Sequence, residues 1–268
     1  MAALPMLDLL KAATLGVVEG LTEFVPVSST GHLILGSRLL DFGDPTFDIF
    51  IQLGAIVALT WEYRATLRRL AVDALEPGPA RRFLLHVLVA FLPAAVAGLL
   101  FHRWIETYLF GVGTVAASLI VGGILILAID GPGRHGGLSR VTDVTLPQAV
   151  AIGLGQVLSL IPGVSRAGAT ILTGLVVGLE RRAATEFSFF LALPTLYAAC
   201  LFTLWKSRHT LDTSAETALA VGFAAAFVSA LVVIRALLRF VQTHDLRPFG
   251  WYRIAAGVGV LLWLVLGR

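Results

Sequence analysis

The sequence predicts an all-α polytopic membrane protein with six transmembrane helices, two re-entrant helical hairpins and an inverted-topology repeat. Three observations carry this prediction. Composition is the first: 57% of the 268 residues are hydrophobic, only 14% are charged, and the mean hydropathy is +0.87. Soluble domains carry roughly 25% charged residues, and several apolar runs here reach or approach the roughly 20 residues that cross a bilayer. Second, two apolar segments are broken by polar residues and proline. Third, that broken pattern returns about half a chain later.

The same figures exclude other classes. A pI near 9.4 does not indicate nucleic acid, because arginines of a membrane protein mostly set topology and no basic patch is interleaved with aromatics. The single Cys200 lies in an apolar run, which leaves no disulfide or thiolate metal site. Glu19 and Glu23 interrupt what would be the apolar core of a cleavable signal peptide, so none is expected. The chain is expected to form one membrane domain over 1–268.

Residues 7–24 read as a moderately apolar helix holding two glutamates. Pro26 breaks it, and a short helix is expected from about Ser28 to Leu40. Backbone irregularity at membrane depth is tolerated where it is buried in protein or lines a cavity, so this reads as a re-entrant hairpin. Residues 41–46 read as a loop. Three spans are expected at about 47–62, 83–101 and 112–130, the first ending in the interface marker Trp61-Glu-Tyr63-Arg64. Residues 63–82 read as an arginine-rich loop, and 131–146 as a Gly/Pro-rich linker at the midpoint.

The second half repeats this plan: a broken hairpin over about 147–178, then spans at about 187–205, 216–238 and 251–267. Laid without a gap on Gly153–Leu172, Gly16–Leu35 gives seven identities in twenty, at Gly16, Leu21, Val27, Ser28, Gly31, Ile34 and Leu35. Phe47, Phe50 and Leu53 return as Phe187, Phe190 and Leu193. A shared offset near half the chain implies an internal duplication, with repeats at about 1–130 and 147–268. Each repeat has three crossings, an odd number, so the repeats are inverted and one hairpin enters from each face. With 63–82 inside, the inner segments hold twelve Lys/Arg and the outer ones six. That bias puts the first hairpin's entrance outside. Arg166 and Arg253 are left out of the count as intramembrane or interfacial.

The chemistry concentrates in the two breaks. Glu19 and Glu23 are four apart and share a helix face, roughly 5–6 Å between Cβ atoms. Two like charges there are costly unless one is protonated, a cation lies between them, or they line a watery cavity; a helix end reaching the headgroups is the plain alternative. After Pro26 comes Val27-Ser28-Ser29-Thr30. A helix N-terminus suits an anion such as phosphate, and Ser28 alone would serve as an ordinary N-cap. His32, three residues past Ser29, makes nucleophile and base candidates. In the second break, Arg166 follows Pro162-Gly163. Its planar fork suits bidentate phosphate binding, with pairing to Glu19 or Glu23 as the structural alternative. Ser165 and Thr170 add hydroxyls. Gln52 and His86 read as interhelical hydrogen-bonding residues, Trp61, Trp104, Trp205 and Trp251 as interface anchors, Gly98, Gly122 and Gly123 as close-packing positions, and Arg181-Arg182 as a topology signal.

The stretches Glu19-Gly-Leu-Thr-Glu-Phe-Val-Pro-Val-Ser-Ser-Thr-Gly-His32 and Pro162-Gly-Val-Ser-Arg-Ala-Gly-Ala-Thr170, with Ile51-Gln-Leu-Gly54 and Phe187-Ser-Phe-Phe-Leu-Ala-Leu-Pro194, closely resemble the undecaprenyl-diphosphate phosphatase family, the bacitracin-resistance proteins of bacterial inner membranes. The resemblance runs over essentially the whole chain. The Pro-Ser-Gly-His motif of the other membrane lipid phosphatases is absent. It implies hydrolysis of undecaprenyl diphosphate to undecaprenyl phosphate, recycling the lipid carrier for peptidoglycan, and a divalent cation, Mg²⁺ or Ca²⁺, at Glu19 and Glu23. By motif position Glu19, Glu23, Ser29, His32 and Arg166 take catalytic places, and Ser28, Thr30, Ser165, Arg166 and Thr170 hold phosphate. Either Ser29 attacks phosphorus with His32 assisting, or water attacks directly. The expected partners are a polyprenyl diphosphate lipid, the membrane and a second copy in a homodimer. The site is expected to face the periplasm. A transporter or lipid flippase on the same scaffold is the competing class, which the architecture alone would favour; the carboxylate pair with Ser29, His32 and Arg166 tilts toward hydrolysis.

Overall fold

The computed structural model describes residues 6–131, 136–207 and 216–266. Among them the chain is helical, with one isolated bridge between Leu138 and Leu179. The elements are α1 (Met6–Thr22), α2 (Ser29–Leu40), α3 (Pro45–Glu62), α4 (Arg64–Asp73), α5 (Pro79–Tyr108), α6 (Val112–Ile129), α7 (Leu146–Val157), α8 (Arg166–Val176), α9 (Arg181–Ser207), α10 (Glu216–Thr243) and α11 (Arg247–Leu266), with short 3₁₀ turns at Val141–Asp143 and Leu158–Leu160. Linker residues 132–135 lie outside the described part.

Five of these helices, α5, α6, α9, α10 and α11, are long and apolar enough to cross a membrane. The sixth expected span is α3. It matches α6 in length at 18 residues, but Asp48, Gln52 and Glu62 keep it less apolar than the five. The stretch 63–82 is no loop. It holds α4, whose Leu70 is buried and whose Leu67 packs on the core while its arginines face outward, and α5 begins at Pro79, a residue preorganised for the first helical turn. The Arg64 guanidinium sits 4.5 Å from the Trp61 ring centre.

Both breaks fall where the sequence put them. A turn at 23–28 separates α1 from α2, and the second turn separates α7 from α8. Each short helix is capped the same way: Gly31 N–H donates to Ser28 Oγ at 3.3 Å, and Gly168 N–H to Ser165 Oγ at 3.0 Å. Such caps satisfy one of the free N–H groups of a helix start. Ser28 holds φ +74°, a left-handed conformation unusual outside glycine. It is strain concentrated at the break.

Packing crosses between the chain's halves. α1 lies on α10, α7 on α5, and α6 on α11. Glycines admit the first two contacts. A Cβ on Gly16 would stand 2.3 Å from the Gly222 carbonyl oxygen, and one on Gly153 would stand 2.4 Å from that of Ala90. These are corresponding positions of the sequence repeat. Of the three glycines read as close-packing positions, Gly123 abuts Gly250 and Ile254, Gly122 abuts the Arg253 side chain rather than a helix backbone, and Gly98 has ordinary room. The core is aromatic where α5 and α9 meet the first break. Phe24 packs edge-on to Phe189 at 5.6 Å, and Phe83 to Phe190 at 5.1 Å. Gln52 accepts from Cys200 Sγ, and His86 Nδ1 lies 2.8 Å from the Val144 carbonyl.

Valine at Gly16 or at Gly153 is expected to force the paired helices apart. Overpacking of this kind costs about 1–3 kcal/mol, read as a lower thermal midpoint in detergent. Gly259→Ala, with open space at its Cβ, is the control and should not lower it.

Candidate active site

The two breaks meet, and the polar residues of each find partners on the other. Glu23 follows one helical turn after Glu19, its N–H bonded to the Glu19 carbonyl at 2.9 Å. Its carboxylate is shared. Oε2 accepts a hydrogen bond from Ser29 Oγ, across the first turn. Oε1 faces Arg166 of α8, with Nε and Nη2 both at 3.5 Å. Both side chains are nearly sealed, at 8% exposure for Arg166 and 5% for Glu23. An isolated charge is costly in such surroundings, and pairing offsets part of that cost.

Arg166 is steered from a third side. Its Nη1 donates to the Ser188 carbonyl on α9 at 3.1 Å. Thr170, one turn along α8, lies 2.7 Å from the Ser188 hydroxyl and donates to the Arg166 carbonyl at 2.9 Å. Ser165 Oγ caps α8 and donates to the Val25 carbonyl of the other break at 3.3 Å. Thus Glu19, Glu23, Ser29, Ser165, Arg166 and Thr170 gather in one buried cluster, with Ser28 beside it as a cap.

Two expected residues stand apart. Thr30 is exposed. His32 makes no hydrogen bond to Ser29. Its Nδ1 lies 2.7 Å from the Ser28 carbonyl, and its Nε2 is bonded to the Tyr252 hydroxyl of α11. The hydroxyl of Ser29 is therefore served by Glu23, not by an imidazole.

Glu19 is 1% exposed, and among the described residues neither of its carboxylate oxygens has a hydrogen-bond partner. A buried carboxylate left without donors suits a hard divalent cation, which prefers oxygen ligands, and Glu23 stands one turn away. The pair fits the implied metal. Among the described residues no cluster of three or more Asp, Glu, His or Cys completes a protein-only cage, so further ligands would come from substrate or water. Asp48 of α3 lies close enough to act on Glu19 electrostatically, and it too carries a buried oxygen without a partner.

Sequence reasoning missed four contributors. Ser188 lay inside a noted apolar segment but gave no charge signal. Asp48, a lone carboxylate near the start of an expected span, gave no signal of its own. Tyr252 follows the interface anchor Trp251 and gave no signal of its own, and Arg253 read as intramembrane or interfacial. Arg253 is in fact 2% exposed and reaches both breaks, bonding the Pro26 and Gly163 carbonyls at 3.0 Å each.

Arg166→Met would leave Glu19 and Glu23 buried without the cation that faces them. Breaking a buried pair by removing one partner costs about 3–5 kcal/mol. The expected outcome is a lower denaturation midpoint in detergent, partly restored when Glu19→Gln is added to the same chain.

Comparison with known proteins identifies the family. The family model for the bacitracin resistance protein BacA matches residues 12–259. The undecaprenyl-diphosphatase of Nitrosospira multiformis is 52% identical, covering 95% of this chain and 94% of that protein. Undecaprenyl-diphosphatase 1 of Chromobacterium violaceum is 51% identical over 92% of this chain and 93% of its own, and the undecaprenyl-diphosphatase of Dechloromonas aromatica 50% identical over 94% and 93%. A match across nearly the whole chain, both breaks included, leaves one conclusion: the chain belongs to the bacitracin resistance protein BacA family.

Proposed function

We propose that this chain is an undecaprenyl-diphosphatase of the bacterial inner membrane. It removes the terminal phosphate of undecaprenyl diphosphate and returns undecaprenyl phosphate, the lipid carrier of peptidoglycan synthesis. The observation that carries the reading is Glu23, which holds the Ser29 hydroxyl with one oxygen and faces the Arg166 guanidinium with the other. A proton acceptor, a nucleophile and a phosphate-binding fork thus meet at one buried point.

The mechanism follows from these contacts. Arg166 takes the terminal phosphate in bidentate fashion, oriented by Ser188 and Thr170. Ser29 Oγ attacks the terminal phosphorus while its proton passes to Glu23, and the bond to the bridging oxygen breaks to release undecaprenyl phosphate. Water then attacks the phosphoserine as Glu23 returns its proton to the departing Ser29 oxygen, and the water's own protons leave on inorganic phosphate, so that the serine and the carboxylate are both restored. Glu19 and Glu23 would hold the divalent cation, which when bound neutralises charge on the phosphates. His32, bonded to the Ser28 carbonyl and to Tyr252, stands apart and does not serve Ser29. The transporter alternative accounts for broken helices but gives the Ser29–Glu23 pair no task.

The two halves form inverted repeats with six crossings, α3 being the sixth, and the hairpins enter from opposite faces to meet near the midplane. The exchanged packing, α1 on α10 and α7 on α5, supports this. The Lys/Arg bias supports a site open to the periplasm. The prenyl chain stays in lipid-facing grooves while the diphosphate enters the polar junction.

Purified protein in detergent, given a prenyl diphosphate with Mg²⁺ or Ca²⁺, is expected to release phosphate; no release with either metal would sink the reading. Arg166→Lys should cut kcat/KM about a hundredfold, ~2.7 kcal/mol, because an ammonium lacks the fork. Substrate labelled on its terminal phosphate should leave label on Ser29 after a rapid acid quench. Turnover near normal in Ser29→Ala, with no label retained, would instead assign the attack to water.

A cysteine at Thr66 in a Cys200→Ala background should react with a membrane-impermeant maleimide only after the cytoplasmic side is opened. Labelling in intact cells would reverse the orientation.

A further inference from the structure

Arg253 has no place in the mechanism above, yet among the described residues it is the largest fully buried side chain. Among the described residues it makes no ion pair, and four backbone carbonyls take its donors. Nη1 donates to Pro26 at 3.0 Å, Nη2 to Gly163 at 3.0 Å and to Ser118 at 2.9 Å, and Nε to Leu119 at 3.4 Å. Two of these carbonyls belong to α6. The other two belong to the two breaks, one each.

Their positions matter. Pro26 stands midway between Glu23 and Ser29, three residues from each. Gly163 stands three residues before Arg166 and holds φ +92°. One rigid guanidinium plane therefore joins the turn that carries base and nucleophile to the turn that carries the phosphate fork, and anchors both to α6. The surroundings are shaped for it. A Cβ on Gly122 would stand 2.1 Å from Nη2 and 2.6 Å from Cζ of Arg253, and its three nearest contacts are all atoms of that side chain. A Cβ on Gly168, in the first turn of α8, would lie 3.4 Å from Nη1. The neighbouring Tyr252 holds His32, so adjacent residues of α11 both contact the first break or the helix it starts.

Burying a cation against neutral carbonyls alone is costly, and an apolar side chain would fill the volume more cheaply. The arrangement is accounted for if the cation does something a filler cannot. We propose that Arg253 is the positioning residue of the phosphatase site, setting the distance between the Glu23–Ser29 pair and Arg166 through the Pro26 and Gly163 carbonyls. Its uncompensated charge also lies behind both breaks, where it favours an incoming diphosphate. Lysine would not substitute, because one ammonium cannot reach carbonyls arranged around a planar fork.

This proposal rests on the phosphatase reading, and wild-type phosphate release tests that reading first; if the wild type is inactive, the reading itself has failed. With an active wild type, Arg253→Met and Arg253→Lys are assayed beside Gly122→Ala, which crowds the guanidinium but keeps its charge. Misplacement of about 1 Å at a catalytic centre costs on the order of a hundredfold in rate, and that loss of kcat is expected for both Arg253 variants. KM for the prenyl diphosphate and Ki for inorganic pyrophosphate should rise about tenfold with it, ~1.4 kcal/mol, in protein that elutes as folded. Gly122→Ala should lose activity in the Arg253 protein and lose nothing further in the Arg253→Met protein. A merely structural role would lower the active fraction and leave KM and Ki unchanged, which overturns the proposal. So would Arg253→Met within threefold of wild type, or Gly122→Ala and Arg253→Met losses that multiply. Should Arg253→Met not fold, Gly122→Ala decides: full kcat and unchanged KM overturn the proposal.

Discussion

The pairing of Glu23 with Arg166 governs the rest of the molecule. Neither charge is tolerable alone inside an apolar bundle, and they lie 143 residues apart in the chain. The pair forms only if two helices break at the same depth and turn their ends toward each other. Proline at 26 and 162, the caps at Ser28 and Ser165, and the positive φ at Ser28 and Gly163 are the local means of breaking those helices. The strain at Ser28 persists because its surroundings over-determine it: its hydroxyl caps α2, its carbonyl accepts from His32, and the following residue is tied to Glu23.

Large-scale packing serves the same end. A helix broken in the middle does not hold its own position, so each broken segment leans on a long helix from the opposite half of the chain. α1 rests on α10 and α7 on α5 through glycines that let the backbones approach within carbonyl contact. Small residues at interfaces are how membrane helices gain contact where lipid removes the hydrophobic drive. α6 and α11 pack similarly, Gly257 against the Ala116 carbonyl and Gly123 against that of Gly250, and this pair carries Arg253. The site is thus suspended from helices of both halves rather than built within either.

What was legible in the sequence follows from cost. Glu19, Glu23 and Arg166 could be read because ionisable residues in apolar segments announce themselves, and the breaks because proline beside polar residues does the same. Two of the recurring residue pairs do matching work: Gly16 and Gly153 in close packing, Ser28 and Ser165 in capping. Partnerships were less visible. Ser29 and His32 looked like a pair at helical spacing, yet the short side chain of Ser29 turns back to Glu23 while His32 reaches Tyr252, 220 residues away. Arg253 was hidden twice. It follows Trp251-Tyr252, which imitates an interface belt, and its acceptors are backbone carbonyls, which leave no trace in side-chain identity. The helix α4 was hidden because its arginines outweigh Leu67 and Leu70 in any average, although those two leucines alone dock it on the core.

The shared carboxylate of Glu23 also explains how binding and chemistry can be coupled. At 3.5 Å, with two guanidinium nitrogens facing one oxygen, the contact with Arg166 is long for a charge-assisted bond, which is normally about 2.7–2.9 Å. The fork is oriented but not saturated. A diphosphate offers it a bidentate partner of higher charge, and each step by which Arg166 turns to the phosphate removes positive charge from beside Glu23. In the proposed mechanism, Arg166 turns from one oxygen of this carboxylate to the phosphate while the other oxygen keeps the Ser29 hydroxyl in place. One side chain thereby links the arrival of substrate at α8 to the orientation of the nucleophile on α2.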